Sequence, residues 1–168
     1  MCPSPVIQKI KTANASMSDA EWNTRVDLAA CYRLIEHYDM DDLFATHISV
    51  RAPGAADHFL LNPYGVHFSE ITASSLVKVD LDGNIVQDTE HVINPAGFVI
   101  HSAVHAARHD AKCVLHTHTV AGMAIASLEE GLKPMFQKAM RFYNGVAYHD
   151  FEGVADDLDE RKRLVNDL

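Results

Sequence analysis

The period of polar and apolar positions changes several times along the chain, and each change marks an element. Residues 1–17 include Pro3 and Pro5 and keep no period, which predicts an arm outside the core. Ser18-Asp19-Ala20-Glu21 reads as a capping box, with Ser18 as N-cap and Glu21 reaching back to it. Trp22, Val26, Ala29, Ala30, Arg33 and Leu34 then recur at helical spacing to about His37, where Asp39-Met40-Asp41-Asp42 interrupts the pattern. Trp22 is expected to anchor this helix in the core.

From Leu43 to Val92 the pattern shortens to strands. His47-Ile48-Ser49-Val50-Arg51 alternates and stops at Pro53-Gly54, and His58-Phe59-Leu60-Leu61 stops at Asn62-Pro63-Tyr64-Gly65. Ser74 to Asp80 leads into a third strand, and Asp82-Gly83 predicts a hairpin into Asn84-Ile85-Val86. Asn94-Pro95-Ala96-Gly97 precedes a helix from about Phe98 to His109. On its wheel Val99, Ala103 and Ala107 share one face, with His101, His105 and Arg108 near the opposite one. His105 and His109 read as solvated or helix-packing, His109 also complementing the helix dipole, whereas His101 stays a candidate for chemistry.

Lys112 to Thr119 follows, an apolar strand-like run that ends in His116 and His118. In a strand, residues two apart point to one face. Two imidazoles aimed into one cleft begin a divalent metal site, which normally needs at least three protein ligands. They also suit plain hydrogen bonding in a polar cleft. Val120 to Leu128, small and apolar, is expected to pack as a helix against a sheet. Gly145 to His149 predicts another strand, and Asp156 to Glu160 the start of a final helix with acidic residues in its first turn.

Composition narrows the class. The 168 residues are 48% hydrophobic and 22% charged, which suits one globular domain over residues 18–168. The formal charge of −9, with no basic cluster, argues against nucleic acid as a partner. No apolar run reaches the roughly 18 residues of a membrane span, and the N-terminus lacks a secretory core, so the expected location is cytoplasmic. Cys2, Cys31 and Cys113 are widely spaced and read as reduced thiols. The 11 histidines raise the weight of metal or acid/base chemistry.

The order of these pieces resembles the class II aldolase/adducin family. The likeness runs from about Glu21 to Asp150 and is carried by Thr46 to Arg51, Asn62 to Gly65, Asp80 to Gly83, Asn94 to Ala103, Cys113 to Thr119 and Val146 to Asp150. It is nearest to adducin heads and their stand-alone relatives. The resemblance implies an α/β/α three-layer sandwich on a mainly antiparallel sheet, assembled as a homo-oligomer, often a tetramer. It further implies a divalent metal, most often zinc, held by His116, His118 and a third histidine in a later Asn-His-Gly-type motif. That motif does not occur up to Leu168, so the domain is expected to lack its C-terminal part.

Two departures bear on chemistry. Pro95, Ala96 and Gly97 stand where the aldolases of this family carry a Ser-Ser-Glu, whose serines meet phosphate and whose glutamate is the acid/base group. Thr46-His47 stands where they carry a Gly-Asn pair. His47 and Asn94 remain as candidate substrate-binding residues, a structural loop histidine being the other reading of His47. His101 remains as the candidate acid/base group. Two functions stay open: a metal-dependent carbon–carbon lyase acting on a small hydroxy-carbonyl or sugar-phosphate-like compound, and a non-catalytic adducin-head-like oligomerisation or interaction module.

Overall fold

The computed structural model describes residues 17–155 and 157–168, so the arm expected over residues 1–17 lies, apart from Met17, outside the described residues. Helix α1 spans Asp19–His37, strand β1 His47–Arg51, β2 His58–Leu61 and β3 Val77–Asp80. Helix α2 spans Pro95–Ala107, β4 Cys113–His116, α3 Val120–Ala126 and α4 Glu160–Asp167. The four strands form one antiparallel sheet in the order β3-β2-β1-β4, so β4 joins the sheet beside the first strand.

Alternation along the strands divides the core into two layers. Ile48 and Leu60 point towards α1 and pack with Leu28, Tyr32, Ile35, Phe68, Ile71 and Leu76. Phe59, Val77 and Val79 point to the other face and pack with Phe98 of α2. The architecture is therefore the α/β/α sandwich with an antiparallel sheet. Among the described residues no helix is long and apolar enough to cross a membrane, and Cys31 and Cys113 are free thiols.

Local chemistry explains the element starts. The Ser18 hydroxyl accepts the Glu21 N–H at 3.2 Å, as an N-cap should. Glu21 does not complete the box, because its carboxylate is taken by Arg25 and Lys78. Asn94 caps α2 by accepting the Ala96 N–H at 3.1 Å, and Pro95 fills the first turn, where its missing N–H costs nothing. At the Asp82-Gly83 turn the Asp80 carboxylate accepts the N–H groups of Asp82 and Asn84, both at 2.9 Å. Gly83 there has φ 91°, a conformation open to glycine.

Four expectations are corrected. The buried stripe of α1 is Glu21, Arg25, Leu28, Ala29, Tyr32 and Ile35, one position away from the stripe read by hydropathy. Trp22 is only half-buried and Val26 is exposed. The reason is the burial of the Glu21–Arg25 pair, which puts charge on the inward face. Beyond Asp82-Gly83 the return limb makes a single bridge, Ile85 to Val79, instead of a strand. Helix α3 has no buried residue. Residues 145–149 form no strand, since Tyr148 instead folds against the turn at Gly131 and its hydroxyl accepts the Leu132 N–H at 2.7 Å.

Candidate functional site

Antiparallel pairing of β1 with β4 sets His47 opposite His116 and Ser49 opposite Val114. These residues lie on the sheet face that α2 covers. Helix α2 aims His101 and His105, one turn apart, at the same face, so both become fully buried against β1. His105 is thus a sheet-facing residue with a hydroxyl partner, while His109 lies exposed beyond the helix end.

The result is a continuous row of hydrogen-bonding side chains. Asp42 Oδ2 meets His118 Nδ1 at 2.8 Å, and His118 Nε2 meets His116 Nε2 at 3.2 Å. His116 Nδ1 lies 3.3 Å from His47 Nε2, and His47 Nδ1 lies 2.7 Å from His101 Nε2. His101 Nδ1 then meets Ser49 Oγ at 2.5 Å, and the same hydroxyl meets His105 Nε2 at 2.8 Å. The row begins at an exposed carboxylate and ends behind the sheet.

Backbone features hold its two ends. The His118 N–H donates to Met40 O at 3.1 Å, which ties the end of β4 to the loop after α1. That loop carries Asp42 between Asp39 and Leu43, both in the left-handed region at φ 52° and 48°. For leucine such a conformation is costly and persists only where the surroundings fix it. At the inner end the Arg51 guanidinium donates to the carbonyl oxygens of His105 at 2.7 Å and Arg108 at 3.3 Å, which holds the last turn of α2 to the sheet.

Gly97 makes room for the row. A Cβ at this position would lie 2.9 Å from His47 Cδ2 and 3.0 Å from its Cγ, closer than such atoms approach. The His47 ring therefore occupies the space that any side chain on residue 97 would need. Asn94 stands at the same helix start with both ends of its amide engaged, since its Nδ2 also donates to Phe44 O at 3.2 Å.

The electrostatics keep the four inner rings of the row, His47, His101, His105 and His116, neutral. Burial pushes His47 down to about 3, with His116 and His118 adding to the effect. His101 lies well below the ordinary histidine range, through burial first and then His47, His105 and His116. Burial and the Arg51 charge lower His105 to about 4, against the Ala111 backbone, which favours a proton. His116 is lowered by burial and by His118. Each of these rings is a neutral imidazole with one N–H and one lone pair.

Two ring nitrogens in the row suit a cation. Two nitrogens bound to one tetrahedral zinc at roughly 2.0–2.1 Å lie about 3.3 Å apart, and the Nε2 atoms of His116 and His118 are separated by 3.2 Å. His118 is braced by a carboxylate on its other nitrogen and His116 by an imidazole, the outer contacts that orient metal-binding histidines. Among the described residues no group of three or more His, Cys, Asp or Glu side chains is placed to hold a metal. The pair supplies two donors of at least three.

All the histidines singled out in the sequence, His47, His101, His116 and His118, are brought together. Asp42 and Ser49 were missed. Ser49 was in principle detectable, since it stands two residues after His47 on the same strand face.

The chain belongs to the class II aldolase and adducin family: residues 26–168 match the model described as the Class II Aldolase and Adducin N-terminal domain. A protein of Caulobacter vibrioides, which its name places provisionally in aldolase class 2, is 57% identical over 152 residues, covering 90% of this chain and 59% of its own. Alpha-adducin of Mus musculus is 46% identical over 146 residues, 86% of this chain and 20% of its own. The structure of an aldolase II superfamily protein from Pseudomonas syringae superposes with a TM-score of 0.88 at 53% identity, covering 93% of this chain and 62% of that one. L-fuculose 1-phosphate aldolase from Glaciozyma antarctica superposes with a TM-score of 0.73 at 32% identity, covering 81% and 56%. The chain thus spans about 59% of the length of the curated bacterial relatives it matches.

Proposed function

We propose that this domain carries part of the site of a metal-dependent, aldolase-type carbon–carbon lyase, with His116 and His118 as two protein ligands of a divalent cation, zinc in the first instance. The observation that carries the reading is the 3.2 Å separation of the two Nε2 atoms, each braced from behind. Further ligands come from the part of the relatives' length that this chain does not span. When bound, such an ion supplies Lewis-acid polarisation of a substrate carbonyl. The substrate class is a small hydroxy-carbonyl or sugar-phosphate-like compound, supported by the likeness to an L-fuculose 1-phosphate aldolase. The same reading makes the protein a cytoplasmic homo-oligomer, tetrameric as the family resemblance implies.

The chain's own residues set limits on how catalysis would run. His101 is enclosed by His47 and Ser49, so in this reading it reaches a substrate only through its neighbours and is a positioning residue. His47, with both ring nitrogens engaged, orients His116, and Asn94 fixes the start of α2 beside it. Equilibrium dialysis against zinc tests the assignment. A protein that carries this domain together with the remaining length of its relatives is expected to retain zinc, and its His116→Ala and His118→Ala variants to lose it. Equal retention by the variants, or no retention of zinc, manganese or iron by any of them, would count against it.

A second reading, a non-catalytic adducin-head-like oligomerisation module, is favoured by one observation. Gly97 stands at the position of the aldolases' acid/base glutamate, and the His47 ring blocks a side chain there. Retro-aldol turnover that disappears when His116 and His118 are both replaced, with assembly intact, would remove this reading.

A further inference from the structure

Helix α1 carries a second apolar stripe. Leu28, Tyr32 and Ile35 fix its inward side, whereas Val26, Ala30 and Leu34, which hydropathy places in the core, face the other way. Val26 is 44% exposed and Leu34 54%, and Ala30 between them is open to solvent. The three are spaced by four, so they form one ridge inclined to the helix axis. When two such ridges lie along one another, their helices cross at about 50°. Ala30, small and at the middle, lets the two backbones approach, with Val26 and Leu34 as the contacts on either side of it.

Two charges mark the margins of this face. At roughly 100° per residue, Asp27 lies about 60° to one side of Ala30 and Arg33 about 60° to the other. Both are exposed, and neither forms an ion pair among the described residues. Six positions apart, they cannot meet along their own helix, where only residues three or four apart are neighbours. Arg33 Nε donates to Ile71 O at 3.1 Å, which steadies the guanidinium and leaves its two terminal nitrogens for another acceptor. An acidic and a basic residue set symmetrically about one alanine are complementary to a second copy of the same face. The charges also choose the direction. With both helices running the same way across Ala30, each Asp27 meets the other copy's Arg33. With directions opposed, Asp27 would face Asp27 and Arg33 would face Arg33, a like-charge arrangement that disfavours the pairing.

We propose that the outward face of α1 is a self-recognition surface on which two copies of the chain pair, parallel and crossed at Ala30, with Val26 and Leu34 in apolar contact and an Asp27–Arg33 ion pair on each side. The contact uses the same patch on both copies, so it closes at two. A single helix face is smaller than the roughly 1,200–2,000 Å² of a standard interface, which makes the dimer a weak one. This surface is independent of the metal reading, and it deepens the homo-oligomer reading by naming one of its contacts.

Sedimentation velocity over a range of concentrations tests the surface. The unmodified chain is expected to pass reversibly to a species of doubled mass as its concentration rises. Asp27→Arg sets arginine against arginine, and Arg33→Glu sets carboxylate against carboxylate, so each variant alone should associate at least roughly tenfold more weakly. Asp27→Arg removes no ion pair within the described residues, so its fold is not at risk. Mixed in equal amounts, the two variants re-form both ion pairs, and their heterodimer should match the unmodified dimer. Recovery on mixing would also show that both variants are folded. Oligomers that neither variant weakens, or variants that stay apart on mixing, would overturn the α1 surface and leave the homo-oligomer reading standing. A chain that stays monomeric up to about 1 mM would overturn both.

Discussion

Gly97 and His47 decide the shape of the site through a contact of a few tenths of an ångström. Exchanging a helix glycine for alanine ordinarily gains up to about 1 kcal/mol. Here the new methyl carbon would meet the His47 ring at 2.9 Å. That ring has little freedom to retreat, since His101 and His116 hold its two nitrogens. Overpacking of this kind costs about 1–3 kcal/mol, so Gly97→Ala is expected to destabilise the fold on balance. Urea unfolding checks this, and equal or greater stability of the variant would contradict it.

Helix α1 shows why an element can be read correctly and faced wrongly. Its start at Ser18 and its end near His37 follow from capping and from the acidic run after it. Its inward face does not, because Arg25 is only 1% exposed and Glu21 only 6%. Arg25 donates to Leu76 O at 2.8 Å and to Glu21 Oε1 at 2.9 Å, while Lys78 of β3 donates to Glu21 Oε2 at 2.7 Å. Hydropathy assigns such residues to solvent, and only the partner strand reveals them as a bridge between layers. Burial raises the Glu21 carboxyl, but its hydrogen bonds with Lys78 and Arg25 outweigh that and leave it below the ordinary 4.5. A lowered carboxylate stabilises the fold above its ordinary range and loses that contribution as pH falls through it. Glu21→Gln should therefore destabilise the protein at pH 7, by up to about 3–5 kcal/mol where the buried arginine is left unpaired. Below pH 4 the difference from the unmodified chain should shrink. Unfolding curves at the two pH values would show it, and a constant difference would refute it.

The same distinction between local and distant information runs through the whole molecule. The strands β1 to β3, the turn at Asp82-Gly83 and the start of α2 at Asn94-Pro95 are set by neighbouring residues and were legible. So was the pair His116 and His118. The row behind the pair was not, because it exists only once β1 pairs with β4 across more than sixty positions of sequence. Asp42 was hidden in what read as a simple helix stop. Burying neutral histidines also gives the metal-free chain a global signature. The folded state keeps protons off His101 and His105, the latter down to about 4, whereas the unfolded chain takes them up near 6.5. Stability should fall as pH drops from about 6.5 to 5, by roughly 1.4 kcal/mol per pH unit for each buried histidine. His149, raised by its hydrogen bond to Asp167, works in the opposite sense, but it is a surface ion pair and of small weight. Denaturation across this window, above the titration of carboxylates, measures the effect, and a flat profile would exclude it.

The wedge of His47 into the space beside Gly97 also constrains how sequences of this kind can change over time. An imidazole at position 47 and a carboxylate-bearing side chain at position 97 compete for one volume, so a chain that acquires one while keeping the other carries the cost of that overlap. A lineage passing between the two states would cross an intermediate with a steric collision or with a hole beside β1. The two positions should thus be inherited as a pair, and the residue found at 47 would forecast the residue tolerated at 97.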